Sequence, residues 1–142
     1  MVNKKVYVSV VGTTTIDGEK DKTELVTEGE YVNRNGKYML RYKEHLADFG
    51  SDCSTIIKID DGTVVMTRSG SANTQMIFEN GKRHMSHYET PLGSFTIGVS
   101  TDKLDIKVDE NGGNVEIDYV LDINSSAQVE NNLKLNIRGE CF

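Results

Sequence analysis

An all-β chain closed into a single antiparallel barrel is what this sequence predicts, and three observations predict it. Apolar and β-branched residues alternate with polar ones at period two, as in Val6-Val8-Val10 and Val115-Ile117-Tyr119-Leu121-Ile123. Short turn signals, among them Asn35-Gly36, Asp61-Gly62 and Asn80-Gly81, punctuate that alternation. No segment carries an apolar stripe at helical spacing. Strands joined by hairpins lie side by side, and such a meander removes its edges by closing on itself. The expectation is an up-and-down barrel of roughly eight to ten strands, with residues 1–142 as one domain.

Taken in order, residues 4–16 open the domain as a strand, with Val6, Val8 and Val10 on one face. A charged turn containing Gly18 leads to a second strand at 23–33. Leu25, Thr27 and Tyr31 share one face, opposite Glu24, Val26, Glu28 and Glu30, and it is the weakest apolar face of the long strands, which points to an edge or a mouth. Asn35-Gly36 turns the chain into a third strand at 37–46, where Tyr38, Leu40, Tyr42, Glu44 and Leu46 alternate with Met39, Arg41, Lys43 and His45. Residues 47–52 read as a loop. Strands follow at 53–60, 63–70, 74–79 and 82–90, with a polar turn at 71–73. Pro91, the only proline, cannot donate a ladder bond and marks a strand end or corner together with Gly93. Residues 95–101 and 104–108 read as one strand kinked near Asp102. A Gly-rich polar turn at 109–114 precedes the cleanest alternation of the chain, 115–123. Leu133, Leu135 and Ile137 form the last strand.

The composition bounds the function. The chain has 142 residues, 37% of them hydrophobic and 27% charged, with a formal net charge of -6. A domain of this size buries roughly 68–70% of its unfolded surface and needs no metal or disulfide to fold. Its acidity repels phosphate backbones, so no nucleic-acid partner is expected. The short basic spot Lys82-Arg83-His84 reads as a solvated turn flank. No apolar run approaches the ~18 residues of a membrane span. The run at 6–11 is too short for a secretory core and contains Tyr7 and Ser9. The expectation is a cytoplasmic protein that keeps Cys53 and Cys141 as reduced thiols. Asn124-Ser125-Ser126, which matches a glycosylation sequon, then reads as a plain turn.

Several stretches carry a family resemblance: YMLRYKE at 38–44, STIIKI at 54–59, VMTRSG at 65–70, MIF at 76–78 and YETPLG at 88–93. With the closing strands at 115–123 and 133–137, the chain resembles the YwiB-like family, small bacterial proteins of unknown function. The resemblance implies a calycin-like, lipocalin-like β-barrel and a bacterial, cytoplasmic origin. These motifs are patterns of a fold rather than of a reaction, so no catalytic residue is carried over.

The chemistry-bearing residues gather around one position. Arg68 shares a strand face with Val64 and Met66, so an inward face places a guanidinium in or near the lumen. A buried charge needs a partner. Glu44, on the face of Leu40 and Tyr42, is the candidate, and Tyr42 and Tyr119 complete a polar cluster. Arg68, Glu44, Tyr42, Tyr119 and Met66 are therefore the expected ligand-binding residues, for a small, partly apolar or anionic molecule. The competing reading is an Arg68–Glu44 pair that only fixes the barrel, in a structural or interaction module with a filled lumen.

Other constellations are weaker. His84 and His87 point to opposite strand faces, which leaves only His87 and Glu89 together, too few ligands for zinc. His45 has nothing in the sequence to place it beside them. Cys53 has no helix N-terminus near it to lower its pKa. No catalytic residue, metal or cofactor is expected, and the oligomeric state is open, a homodimer through a sheet edge included.

Overall fold

The computed structural model describes residues 3–46, 51–70, 73–90, 92–123 and 127–139. Its ten strands are β1 (Asn3–Ile16), β2 (Glu19–Arg34), β3 (Lys37–Leu46), β4 (Ser51–Asp60), β5 (Thr63–Gly70), β6 (Asn73–Glu79), β7 (Arg83–Thr90), β8 (Gly93–Asp109), β9 (Gly112–Ile123) and β10 (Ala127–Gly139). Each pairs antiparallel with its sequence neighbours, and β1 pairs with β10, so the meander closes into a barrel. The upper end of the expected strand number is the one realised.

The turns form for the reason the sequence gives. A two-residue hairpin loop of the favoured twist needs positive φ at both residues. Asp17 and Gly18 adopt φ of 50° and 81°, and Asn35 and Gly36 adopt 54° and 81°. The kink expected near Asp102 is a register shift between Thr101 and Lys103 in the β8–β9 ladder. It lets one strand serve both ends of the barrel.

Several boundaries differ from expectation. β4 begins at Ser51, because β3 pairs Leu46 with Ser51 and His45 with Asp52, so two residues expected in a loop are strand. β2 begins at Glu19 because the tight Asp17-Gly18 turn pairs Ile16 with Glu19 and Thr13 with Lys22 at once. β9 begins at Gly112, so the polar turn shrinks to Glu110-Asn111. Gly112 and Gly113, at φ of 121° and 145°, lie so close to the Ile137 and Lys107 carbonyls that a Cβ would not fit. β10 begins at Ala127, its polar first half held by β1 and β9. In each case the neighbouring strand supplies the order that the residues' own patterning lacks. Of the loop expected at 47–52, residues 47–50 lie outside the described residues, as do the turn residues Ser71 and Ala72, Pro91, the sequon and Cys141.

The interior is filled at mid-height. Tyr31, Leu40, Ile57, Met66, Phe78, Val99 and Ile117 are buried there. The Tyr31 hydroxyl donates to the Asp109 carbonyl at 2.8 Å, and its ring stacks on Tyr38 with centroids 5.7 Å apart. That aromatic pair lies towards one end. The other end opens, because the β2–β3 ladder is short there. β2 pairs with β3 only from Gly29↔Tyr42 to Arg34↔Lys37. β6 pairs with β7 only at Asn73↔Glu89 and Thr74↔Tyr88, so that ladder is short at the opposite end, beside the Asn80-Gly81 turn. At Gly29 a Cβ would sit 2.7 Å from the Arg41 carbonyl oxygen, so glycine permits the close crossing after which β2 and β3 part.

Candidate functional site

Strand parity brings the site together. Side chains two apart share a face, so inward Val64 and Met66 on β5 put Arg68 inward as well. Inward Leu40 and Tyr42 on β3 do the same for Glu44. β4 runs between them, with Thr55 level with Arg68 on one side and with Tyr42 on the other. Arg68 Nε lies 2.9 Å from Glu44 Oε1, and the Thr55 hydroxyl donates to the same oxygen at 2.6 Å. The expected Arg68–Glu44 pair is therefore present.

The electrostatics follow from burial. Desolvation works against the Arg68 charge, but Glu44, helped by Tyr42, Tyr119 and Cys53, outweighs it and holds the guanidinium above the ordinary arginine range. Burial pushes the Tyr42 phenol upward, and the nearby Glu44 carboxylate adds to the shift against the opposing pull of Arg68. Tyr119 is raised by burial alone, with Arg68 opposing. Its ring meets Phe78 edge-on at 4.9 Å. Cys53 is buried beside this cluster. Desolvation raises its thiol, so it is a poor nucleophile. Met66 lies deeper, in the core, and is 2% exposed.

Above the pair the barrel holds a recess of about 380 Å³. Arg68, Glu44 and Tyr119 form its floor. Val10, Leu25 and Leu133 supply apolar wall, and Thr14 and Asn131, joined by a 2.9 Å hydrogen bond, lie on the rim. Of the five residues predicted for the site, Arg68, Glu44 and Tyr119 line the recess. Tyr42 supports it from below, and Met66 belongs to the packed layer beneath. The Arg68 side chain keeps 28% of its surface exposed while that of Glu44 keeps 14%. The buried Arg68 Nε and the Tyr42 hydroxyl meet no aligned hydrogen-bond partner among the described residues. Sequence reasoning missed Thr55 and Asn131. Parity with Ile57 and Ile59 would have found Thr55, and parity with Leu133 would have found Asn131.

The chain matches the family model described as a domain of unknown function, DUF1934, over residues 8–135. The chain belongs to the DUF1934 family. It is 28% identical over 124 residues to the uncharacterized beta-barrel protein YwiB of Bacillus subtilis (strain 168), covering 87% of this chain and 85% of that one. The crystal structure of the ywiB protein from Bacillus subtilis superposes with a TM-score of 0.83 at 24% identity, over 98% of this chain and 94% of that chain. The resemblance read from the strand motifs thus holds, and the barrel is the DUF1934 barrel.

The remaining candidates fall into place around it. Lys82, Arg83 and His84 do not form a free basic patch in this DUF1934 chain. Lys82 and His84 both reach Glu79, at 3.3 and 3.1 Å. Arg83 grips Asp122 with two parallel contacts, Nε–Oδ2 at 3.1 Å and Nη2–Oδ1 at 2.8 Å. Among the described residues no three His, Cys, Asp or Glu side chains gather as a metal site. The His45 side chain lies outside those described.

Proposed function

We propose that this protein is a non-enzymatic binding module that takes a small molecule into the open end of its barrel, in the manner of a lipocalin. The ligand has an apolar body and a head of acceptor oxygens, a carboxylate being the simplest. The single observation that carries this reading is Arg68. A guanidinium sits on the floor of an apolar-walled recess, part-exposed, with its Nε hydrogen unaligned with any described acceptor. Arginine's planar fork suits a carboxylate or phosphate approaching from above. Glu44 keeps the charge affordable while the site is empty, and Val10, Leu25 and Leu133 would shed water onto the ligand's apolar part.

The charged outer faces support a protein working in water. Lys5–Glu28, Lys37–Asp60 and Lys103–Glu116 pair across outward positions that a lipid-facing barrel fills with apolar residues. A buried Cys53 thiol accords with a reducing, cytoplasmic setting.

A fluorescent probe with an aromatic body and a sulfonate head tests the reading directly. Native mass spectrometry of freshly purified protein runs beside it, to catch a retained metabolite. Probe binding that weakens at least about tenfold in Arg68→Leu, in a variant with an unchanged circular dichroism spectrum, supports the module. An anionic probe that binds Arg68→Leu as well as the parent sinks it. The second reading, an interaction module with a filled barrel, draws on the packed layer of Met66, Phe78 and Ile117. It predicts no binding of the probe by either protein.

A further inference from the structure

Half of β2 has a neighbour on one side only. β1 pairs with it from Asn3↔Val32 to Ile16↔Glu19, whereas β3 stops at Gly29. Among the described residues, no strand lies against the other side of residues 19–28. The Ile16↔Glu19 pair closes a two-residue hairpin, so it is a hydrogen-bonded pair, and the odd residues of β2 direct their backbone groups to β1. The even residues Lys20, Lys22, Glu24, Val26 and Glu28 therefore direct theirs outward. An exposed edge of this kind is a template for another strand.

We propose that this edge pairs with the same edge of a second copy, antiparallel, about a two-fold axis beside Thr23. The charge pattern favours this partner and this register. With the axis at Thr23, Lys22 lies opposite the partner's Glu24 and Glu24 opposite the partner's Lys22, each a hydrogen-bonded pair. The two side chains already share one face, since Lys22 Nζ reaches Glu24 Oε1 within the chain at 3.2 Å. Thr23 meets its own copy, a favourable cross-strand pair. Moving the axis to Lys22 sets lysine against lysine, and moving it to Glu24 sets glutamate against glutamate. Both are unfavourable. A C2 interface requires such self-complementarity, and this register supplies it with no like charges opposed. Charges on an edge also guard against indiscriminate pairing. Here they oppose like charges at the centre of both neighbouring registers.

The pairing extends what the barrel lacks at its open end. Thr23 and Leu25 line the recess above Arg68. In the dimer, Leu25 stands opposite the partner's Asp21, so the second copy lengthens the recess wall. This inference does not depend on the binding proposal, because the edge exists with or without a ligand.

Sedimentation velocity from low micromolar to near-millimolar protein tests it. The parent is expected to show a reversible monomer–dimer equilibrium. Lys22→Glu and Glu24→Lys, each alone, set like charges opposite and are expected to weaken the dimer at least about tenfold. Mixed together they restore both opposite-charge pairs and form a heterodimer. Val26→Pro, which removes an outward backbone donor and leaves β1 its bonds, is also expected to be monomeric. A parent that stays monomeric throughout overturns the proposal. So does a dimer that both charge variants leave intact, which would place the interface elsewhere.

Discussion

Arg68 and Glu44 meet at 2.9 Å across the width of β4, and Thr55 of that strand holds the carboxylate in place. Three strands thus share one charged contact in an otherwise apolar interior. Removing one partner strands the other, which is costlier than removing both. Arg68→Leu and Glu44→Gln are each expected to lower unfolding free energy by about 1–3 kcal/mol, reduced from the fully buried case by the exposure of Arg68. The double variant should lose less than the sum. Urea denaturation of the four proteins measures the coupling. Strictly additive losses would mean that the two side chains do not interact in solution.

Tyr42 sets a limit on the alkaline side. Its phenol is raised by burial and by Glu44, and burial raises Tyr31 and Tyr119 too. The folded form therefore keeps protons that the unfolded chain releases from about pH 10 upward. Stability is complete below that pH and falls as pH rises towards the folded-state values. Tyr42→Phe is expected to make this fall shallower by up to about 1.4 kcal/mol per pH unit. Denaturation midpoints on both sides of pH 10, with the ultraviolet band of tyrosinate as a second readout, check it. An equal slope in parent and variant would show that Tyr42 titrates freely.

Gly98 is the floor beneath the Arg83–Asp122 contact. A Cβ there would lie 2.5 Å from Arg83 Nη2 and 2.6 Å from Asp122 Oδ2. Gly98→Ala, which in an ordinary strand would be neutral or helpful, is expected to lower the Tm by displacing that pair. Arg83→Ala should lower it similarly. The double variant should be no worse than the poorer single one, because both changes remove the same contact. Thermal scans decide the matter, and additive losses would point to backbone strain instead.

Much of this was legible in the chain. Alternation at Val64, Met66 and Arg68 gave the strand and the shared face, and Glu44 as the partner Arg68 would need were that face inward. Turn chemistry at Asn35-Gly36 and Asp61-Gly62 gave the hairpins. The polar strand ends were not legible. Glu19–Lys22 and the start of β10 carry no apolar pattern, and they are strands because β1 pairs with the first and β9, joined by β1 from Glu130 onward, pairs with the second. The Arg83–Asp122 fork was hidden too. It joins β7 to β9 across β8, and its alignment depends on registers that no single strand encodes. At the site, Arg68 and Glu44 could be found because a charge on an apolar face demands a partner. Whether Tyr42 and Met66 lined a cavity or a packed layer depended on where the interior filled.

The seam between β1 and β10 joins the first and last strands of the barrel, from Val6↔Gly139 to Thr15↔Glu130. Its consequence is temporal. While the protein is being synthesised, β1 can pair with β2 at once, but its other edge waits until β10 has left the ribosome. The last contacts formed are those of greatest sequence separation, which places this barrel among slow-folding topologies. A chain cut short before β10 keeps that edge open and has no route to a closed fold.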